Sequence, residues 1–193
     1  MSEPNAANVV AGPAALYVAA VGTAPPSLAT KPAVAAWLAA GWTQLGYTES
    51  GVELVSTPSV KDVTPDEEIT PVLQIVTGIK VEVKATLLEV TQENMNKAIA
   101  LTALSNPGLG IKTLSLGSAN PLLSFAVGIQ GPAPGGVDDR VVTVWKANVV
   151  SAITLNNSLK NESKLAVTLT ALADSTKATT RNIFEVVDFN AGS

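Results

Sequence analysis

Apolar and polar residues alternate most cleanly along one stretch of this chain. From Ile79 to Leu87 the apolar positions are Ile79, Val81, Val83, Ala85 and Leu87, and the intervening ones are Lys80, Glu82, Lys84 and Thr86. A period of two with β-branched residues on one side predicts a strand with one face on a core and the other toward water. The strand sits in the longer run Val72–Val90, where Gly78 predicts a bend. Leu165, Val167, Leu169 and Ala171 alternate in the same way against Lys164, Thr168 and Thr170. Further strands are predicted at Ala14–Val21, in "GWTQLGYT", at Ser50–Thr57, and in "IKTLSLGS", "PLLSFAVGIQG", "RVVTVWKANVV" and "NIFEVVDF". Gly51 predicts a bulge or tight turn.

The period changes once. Thr91 caps a helix predicted over about residues 91–105, with Glu93 in its first turn, Lys97 four residues on, and an apolar stripe of Met95, Ala98, Ile99 and Thr102. Asn106-Pro107-Gly108 reads as its stop. The Pro/Ala-rich segment Gly22–Gly41 reads as a loop with one helical turn near Trp37. Many strands around one short helix predict a mainly β protein, a β-sandwich or barrel protomer with one flanking helix. At 193 residues the expectation is a single domain spanning 1–193, with a flexible N-terminus over 1–8.

Pro58–Pro71 breaks the pattern. It holds three prolines and no clear period, between two strands placed to pair. An irregular loop of this length is usually functional or disordered. One reading is a solvated loop. The other is an arm reaching a neighbouring molecule, which the apolar residues Val63, Ile69, Val72 and Leu73 favour. Asp62, Asp66, Glu67 and Glu68 crowd here without the glycine and terminal Glu of an EF-hand loop, so a solvated acidic segment is the preferred reading over a cation site.

Composition then removes chemistry. The chain has no cysteine and no histidine. Thiol nucleophiles, imidazole bases, Cys/His zinc sites and disulfides are excluded. Serines and threonines have no histidine to activate them, no glycine-rich phosphate loop joins a strand to a helix, and nothing places two carboxylates for glycoside hydrolysis. Asp138-Asp139-Arg140 reads as a turn leading into a strand. No catalytic residue, cofactor or metal ligand is predicted. Charged residues make up 15% of the chain and the formal net charge is −4, against the basic stripe of a nucleic-acid reader. Such a sparsely charged chain is expected to bury surface against partners. Residues 1–30 carry no positive n-region and the apolar run Val9–Ala24 is short and interrupted, so neither a signal peptide nor membrane insertion is expected, and synthesis in the cytoplasm is.

Two blocks carry a resemblance. The first is "GWTQLGYTESGVEL…TPSVKDVTPDEEITPV…VTGIKVEVKATLLEVTQENMNKAI", a Gly-Trp-x-x-Leu-Gly-Tyr-Thr entry followed by strand, long loop, long strand and a Thr-capped helix. The second is "VVTVWKANVVSAITLNNSLKNESKLAVTLTALAD". Their order resembles the major tail tube proteins of long, non-contractile-tailed bacteriophages. That resemblance implies a structural virion protein, not an enzyme. It implies hexameric rings stacked helically into a tail tube whose lumen is lined by a continuous β-barrel and serves as the conduit for DNA ejection. It implies as partners other copies of the chain, the tape measure protein, the tail tip or initiator complex, the tail terminator, and DNA in transit without sequence-specific binding. Assembly in the host cytoplasm and residence in the virion tail follow.

Under this reading the inter-subunit or inter-ring arm comprises Val60, Val63, Asp66, Glu67, Glu68 and Ile69. Glu53 and Glu82, on the polar phase of the two strands flanking the arm, are lumen-facing candidates; the competing reading makes them outer-surface residues. A tube protein of a contractile tail or secretion-type system, and a capsid decoration protein, are the alternatives. A carbohydrate-binding module fits poorly with 4% aromatic residues.

Overall fold

The central strands bury both of their faces, each in a different core. In the computed structural model, which describes residues 12–66, 69–99, 102–108, 110–134, 139–150 and 163–189, strand β1 (Ala15–Ala20) shows this directly. Leu16 and Val18 point into one apolar cluster, while Tyr17 and Ala19 point into another. Strands β7 (Ser124–Pro132) and β8 (Asp139–Val149) do the same, Val127 and Val144 going one way, Ala126 and Val141 the other. Mostly apolar runs such as Val141–Trp145, with Thr143 its one polar residue, are what two-sided burial requires.

The remaining strands are β2 (Thr43–Gln44), β3 (Thr48–Val63), β4 (Leu73–Leu87), β5 (Thr102–Gly108), β6 (Ile111–Leu116), β9 (Leu165–Ala171) and β10 (Phe184–Asp188). The main sheet is antiparallel in the order β2-β1-β7-β8-β9-β4-β3. On the edge of β8 away from β7, β10 pairs with Arg140–Val144 and β9 with Ala147–Val149. The sheet curls so that Thr48 Oγ1 donates to the Ala14 carbonyl at 3.2 Å, yet it does not close into a barrel. The larger core lies on the face lined by Val83, Leu87, Val127, Val144, Leu165 and Leu169.

The second core is built on tryptophan. Helix α1 (Val34–Ala39) is the single turn expected near Trp37. Trp37 stacks on Tyr17 with ring centroids 4.6 Å apart and meets Trp42 edge-on at 5.0 Å. Their indole N–H groups are satisfied, Trp37 by Gln130 Oε1 at 2.7 Å and Trp42 by the Ala24 carbonyl at 2.9 Å. Gly128 makes this approach possible, since a Cβ there would lie 2.6 Å from Trp37 Cζ3.

Helix α2 is shorter than expected. It covers Gln92–Ala98 and not 91–105. Thr91 caps it as predicted, accepting from the Asn94 N–H at 3.2 Å. The early C-terminal end has a physical cause. Ile99 is extended, and the Thr102 hydroxyl lies 3.1 Å from the Ile99 carbonyl, turning the chain away. Residues Thr102–Gly108 then pair with β6 in a separate two-stranded sheet. "GWTQLGYT" contributes the two-residue β2 and the first residue of β3, because Trp42 and Leu45 are drawn into the cores. The connection over 151–162 and the N-terminal segment 1–8 lie outside the described residues.

Replacing Gly128 with Ala should lower stability by about 1–3 kcal/mol through overpacking against Trp37. Urea denaturation read by tryptophan fluorescence checks this, and an unchanged midpoint would contradict the close approach.

Candidate functional site

The segment read as an irregular arm is largely a β-hairpin. β3 and β4 pair all the way from Thr48↔Leu87 to Val63↔Leu73, and the Val72 N–H closes the ladder on the Val63 carbonyl at 3.0 Å. The prolines misled the expectation of irregularity. β3 is the last strand of the sheet, so Pro58 can occupy it where a central strand would lose a ladder hydrogen bond. Pro65 and Pro71 belong to the connecting tip.

Two irregularities divide this hairpin. Near its base, Ser50 and Gly51 have φ of 61° and 80° and form a bulge between Glu49 and Val52, as Gly51 suggested. Farther out, Thr77 is an extra residue between the pairs Ser59↔Gly78 and Val60↔Val76. Its hydroxyl donates to the Ser59 carbonyl at 3.2 Å. The predicted bend at Gly78 falls at this bulge.

The core ends just inside it. Val81 is 1% exposed, whereas Ile79, two residues along on the same face, is 53% exposed. Ile79 therefore does not join the core as its alternation implied; the hairpin has already left the body of the protein. Beyond it, Pro58↔Ile79 and Val60↔Val76 form one apolar face, while Ile75 and Leu73 lie on the other. All are exposed, and Ile69 at the tip is fully so. Val63 is half-buried and Asp66 exposed. Glu67 and Glu68 lie outside the described residues. Contiguous exposed apolar surface marks a contact site.

The opposite side of the hairpin base is polar and ordered by charge. Glu82 lies between Lys80 at 2.7 Å and Lys84 at 3.5 Å. The hydrogen bond from Lys80, aided by both ammonium charges, holds its carboxyl below the usual Glu range. Glu53 stands opposite Lys84 in the register, so the two glutamates singled out in the sequence share one face. β9 extends that face with Thr168 opposite Lys84 and Thr170 opposite Glu82. At the base, Lys164 reaches Glu49 at 2.5 Å. That pair joins residues 115 apart in sequence; the only trace of it was that Lys164 lies on the polar phase of its strand.

Two further polar devices act at β8, and nothing in the sequence announced them. Arg140 donates to Asp188 through Nε at 2.6 Å and Nη2 at 2.8 Å, tying β10 to β8. These bonds push the Asp188 carboxyl down and the guanidinium up. Asp174 accepts from the Thr176 N–H at 2.9 Å and hydroxyl at 2.8 Å, which lowers its carboxyl too. This turn lays Lys177 over the Trp145 ring, 4.2 Å from its centroid, and the Trp145 indole donates to the Arg181 carbonyl. Among the described residues no group of three or more carboxylates converges on a point, and no helix is long and apolar enough to cross a membrane.

A family model described as "Phage tail tube protein" matches residues 1–189 of the 193. No individual curated protein matches.

Carboxylates held by hydrogen bonds contribute to the acid response. Asp188 and Asp174 have folded pKa values below their unfolded ones. Their stabilisation is therefore present above the unfolded value and lost as pH falls through the folded one. The urea midpoint should hold from pH 7 to about 5 and fall below about 4. Asp188→Asn should start lower at pH 7 and lose less on acidification; a parallel fall in both proteins would contradict the role of the pair.

Proposed function

The chain belongs to the phage tail tube protein family, and from that premise we propose that it forms hexameric rings which stack helically into the tube of a long, non-contractile tail. Family membership makes it a structural component of the virion tail. The proposal adds how this chain assembles and what the tube carries, namely DNA on its way into the host.

The observation that carries the reading is the β3–β4 hairpin. A strand pair that leaves its own core while exposing Val60, Val76, Ile79, Ile75 and Leu73 has apolar surface to bury elsewhere. Its tip, with Val60, Val63, Asp66, Glu67, Glu68 and Ile69, is the proposed contact to the adjacent subunit or the next ring. Continuous pairing stiffens it, so less entropy is lost on docking than for a loose loop. The outer edge of β3 supports ring formation as well. It is a 16-residue strand at the end of the sheet, and an edge of that length invites pairing with another chain. Such head-to-tail contacts close into rings or continue as filaments according to their rotation.

Pairing neighbouring sheets edge to edge would carry the polar face of β3, β4 and β9 around a bore, with Glu53 and Glu82 on its wall. In this reading the tape measure protein occupies the bore during assembly in the host cytoplasm. The tail tip or initiator complex starts the tube and a terminator ends it. DNA passes without sequence-specific grip.

Replacing Val60–Thr77 with Asn-Gly, a two-residue turn suited to a hairpin, should leave a folded protomer that makes no tubes. Circular dichroism checks folding and negative-stain microscopy checks assembly. Normal tubes from this variant would sink the proposal.

A further inference from the structure

The polar face carries more order than a bore needs merely to be wet. Among its lysines, Lys80 and Lys84 bracket a single carboxylate, Glu82, at 2.7 and 3.5 Å. Glu82 is the least exposed of the three, its side chain 17% accessible against 61% for Lys80 and 43% for Lys84. It is thus set into the wall, with two longer cationic arms folded onto it. Glu53 faces Lys84 from β3, and Glu49 holds Lys164 at the base. The remaining positions around Glu82 carry no charge: Thr168 and Thr170 of β9, Val55 of β3 directly opposite Glu82, and Thr57 of β3 opposite Lys80.

Charge of either sign would trouble a passage for a polyanion. Free ammonium groups bind phosphate through counterion release, and an excess of carboxylates repels it. This face does neither, because its opposite charges neutralise one another locally. We propose that Glu82 is a charge-masking residue, holding the Lys80 and Lys84 ammonium groups against the wall so that duplex DNA meets neutral ion pairs and uncharged side chains instead of phosphate-binding cations. The inference rests on the reading that this face lines the bore. It assigns to Glu82 a role beyond simple negative charge, since one carboxylate is the ion-pair partner of two cations.

The full-length unassembled chain and a labelled duplex DNA of random sequence provide the test, read by fluorescence anisotropy. Wild type should bind negligibly at about 50 mM salt, and Glu82→Gln, nearly isosteric, should bind. Its affinity should fall about twelvefold between about 50 and 200 mM salt, the dependence of two phosphate contacts. Adding Lys80→Gln and Lys84→Gln to Glu82→Gln should abolish the gain. Binding by Glu82→Gln no stronger than by wild type, or a gain that survives loss of both lysines, overturns the masking role. The bore reading is judged separately. The chain has no cysteine, so Glu53→Cys gives a unique probe in assembled tubes. Reaction with a small maleimide, but not with one on a bulky polymer, places the face inside. Equal reaction with both overturns the bore reading whatever the DNA result.

Discussion

The long antiparallel pairing of β3 with β4 is the constraint on which the rest depends, because one ladder, interrupted only by two bulges, passes through two environments. At its base, Val52, Leu54, Val83, Ala85 and Leu87 pack into the larger core. Past the bulge at Thr77 the same ladder has no core beneath it and exposes apolar side chains on both faces. A hairpin alone is marginally stable in water. This one is held because its inner half belongs to a sheet buried on its inner face, so the projecting half begins from fixed strands. The same register brings Glu53, Lys84 and Glu82 onto one polar face and decides what that face presents.

The body of the protein supplies the anchor. Two-sided burial of β1, β7 and β8 makes the centre of the sheet rigid, with aliphatic packing on one side and the Tyr17–Trp37–Trp42 cluster on the other. Gln130 joins the layers by accepting from Trp37 and donating to the Pro32 carbonyl at 3.0 Å and Asp139 Oδ2 at 2.8 Å. Large side chains with satisfied polar ends leave little freedom in the sheet. An unclosed sheet with a stiff centre and one long open edge is a form suited to completion by copies of itself.

Residue alternation made much of this legible. It located most of the strands, put Val81, Val83 and Leu87 in the core, and put Lys80, Glu82 and Lys84 together on the other side. The features it lost depend on partners distant in sequence. Ile79 continues the alternation of Val81 perfectly, and nothing local says that the core stops between them. Ile99–Ser105 has acceptable helical composition, so the sequence predicts helix past Ala98, whereas pairing with β6 makes Thr102–Ser105 a strand. Prolines made Pro58–Pro71 look irregular, yet an edge strand tolerates them. The pairs Glu49–Lys164 and Arg140–Asp188 join strands whose adjacency no short motif encodes. Tail-tube membership was legible for a different reason. It rested on the order of whole blocks along the chain, which survives errors in any one element.

The measurement that bears most directly on the central claim is an electron cryo-microscopy map of tubes assembled from the full chain. The account predicts six copies around each ring, the hairpin beyond Thr77 buried against a neighbouring copy, and the face carrying Glu53 and Glu82 turned to the bore. A map in which that hairpin stands in solvent while the tube is held by other surfaces would contradict it.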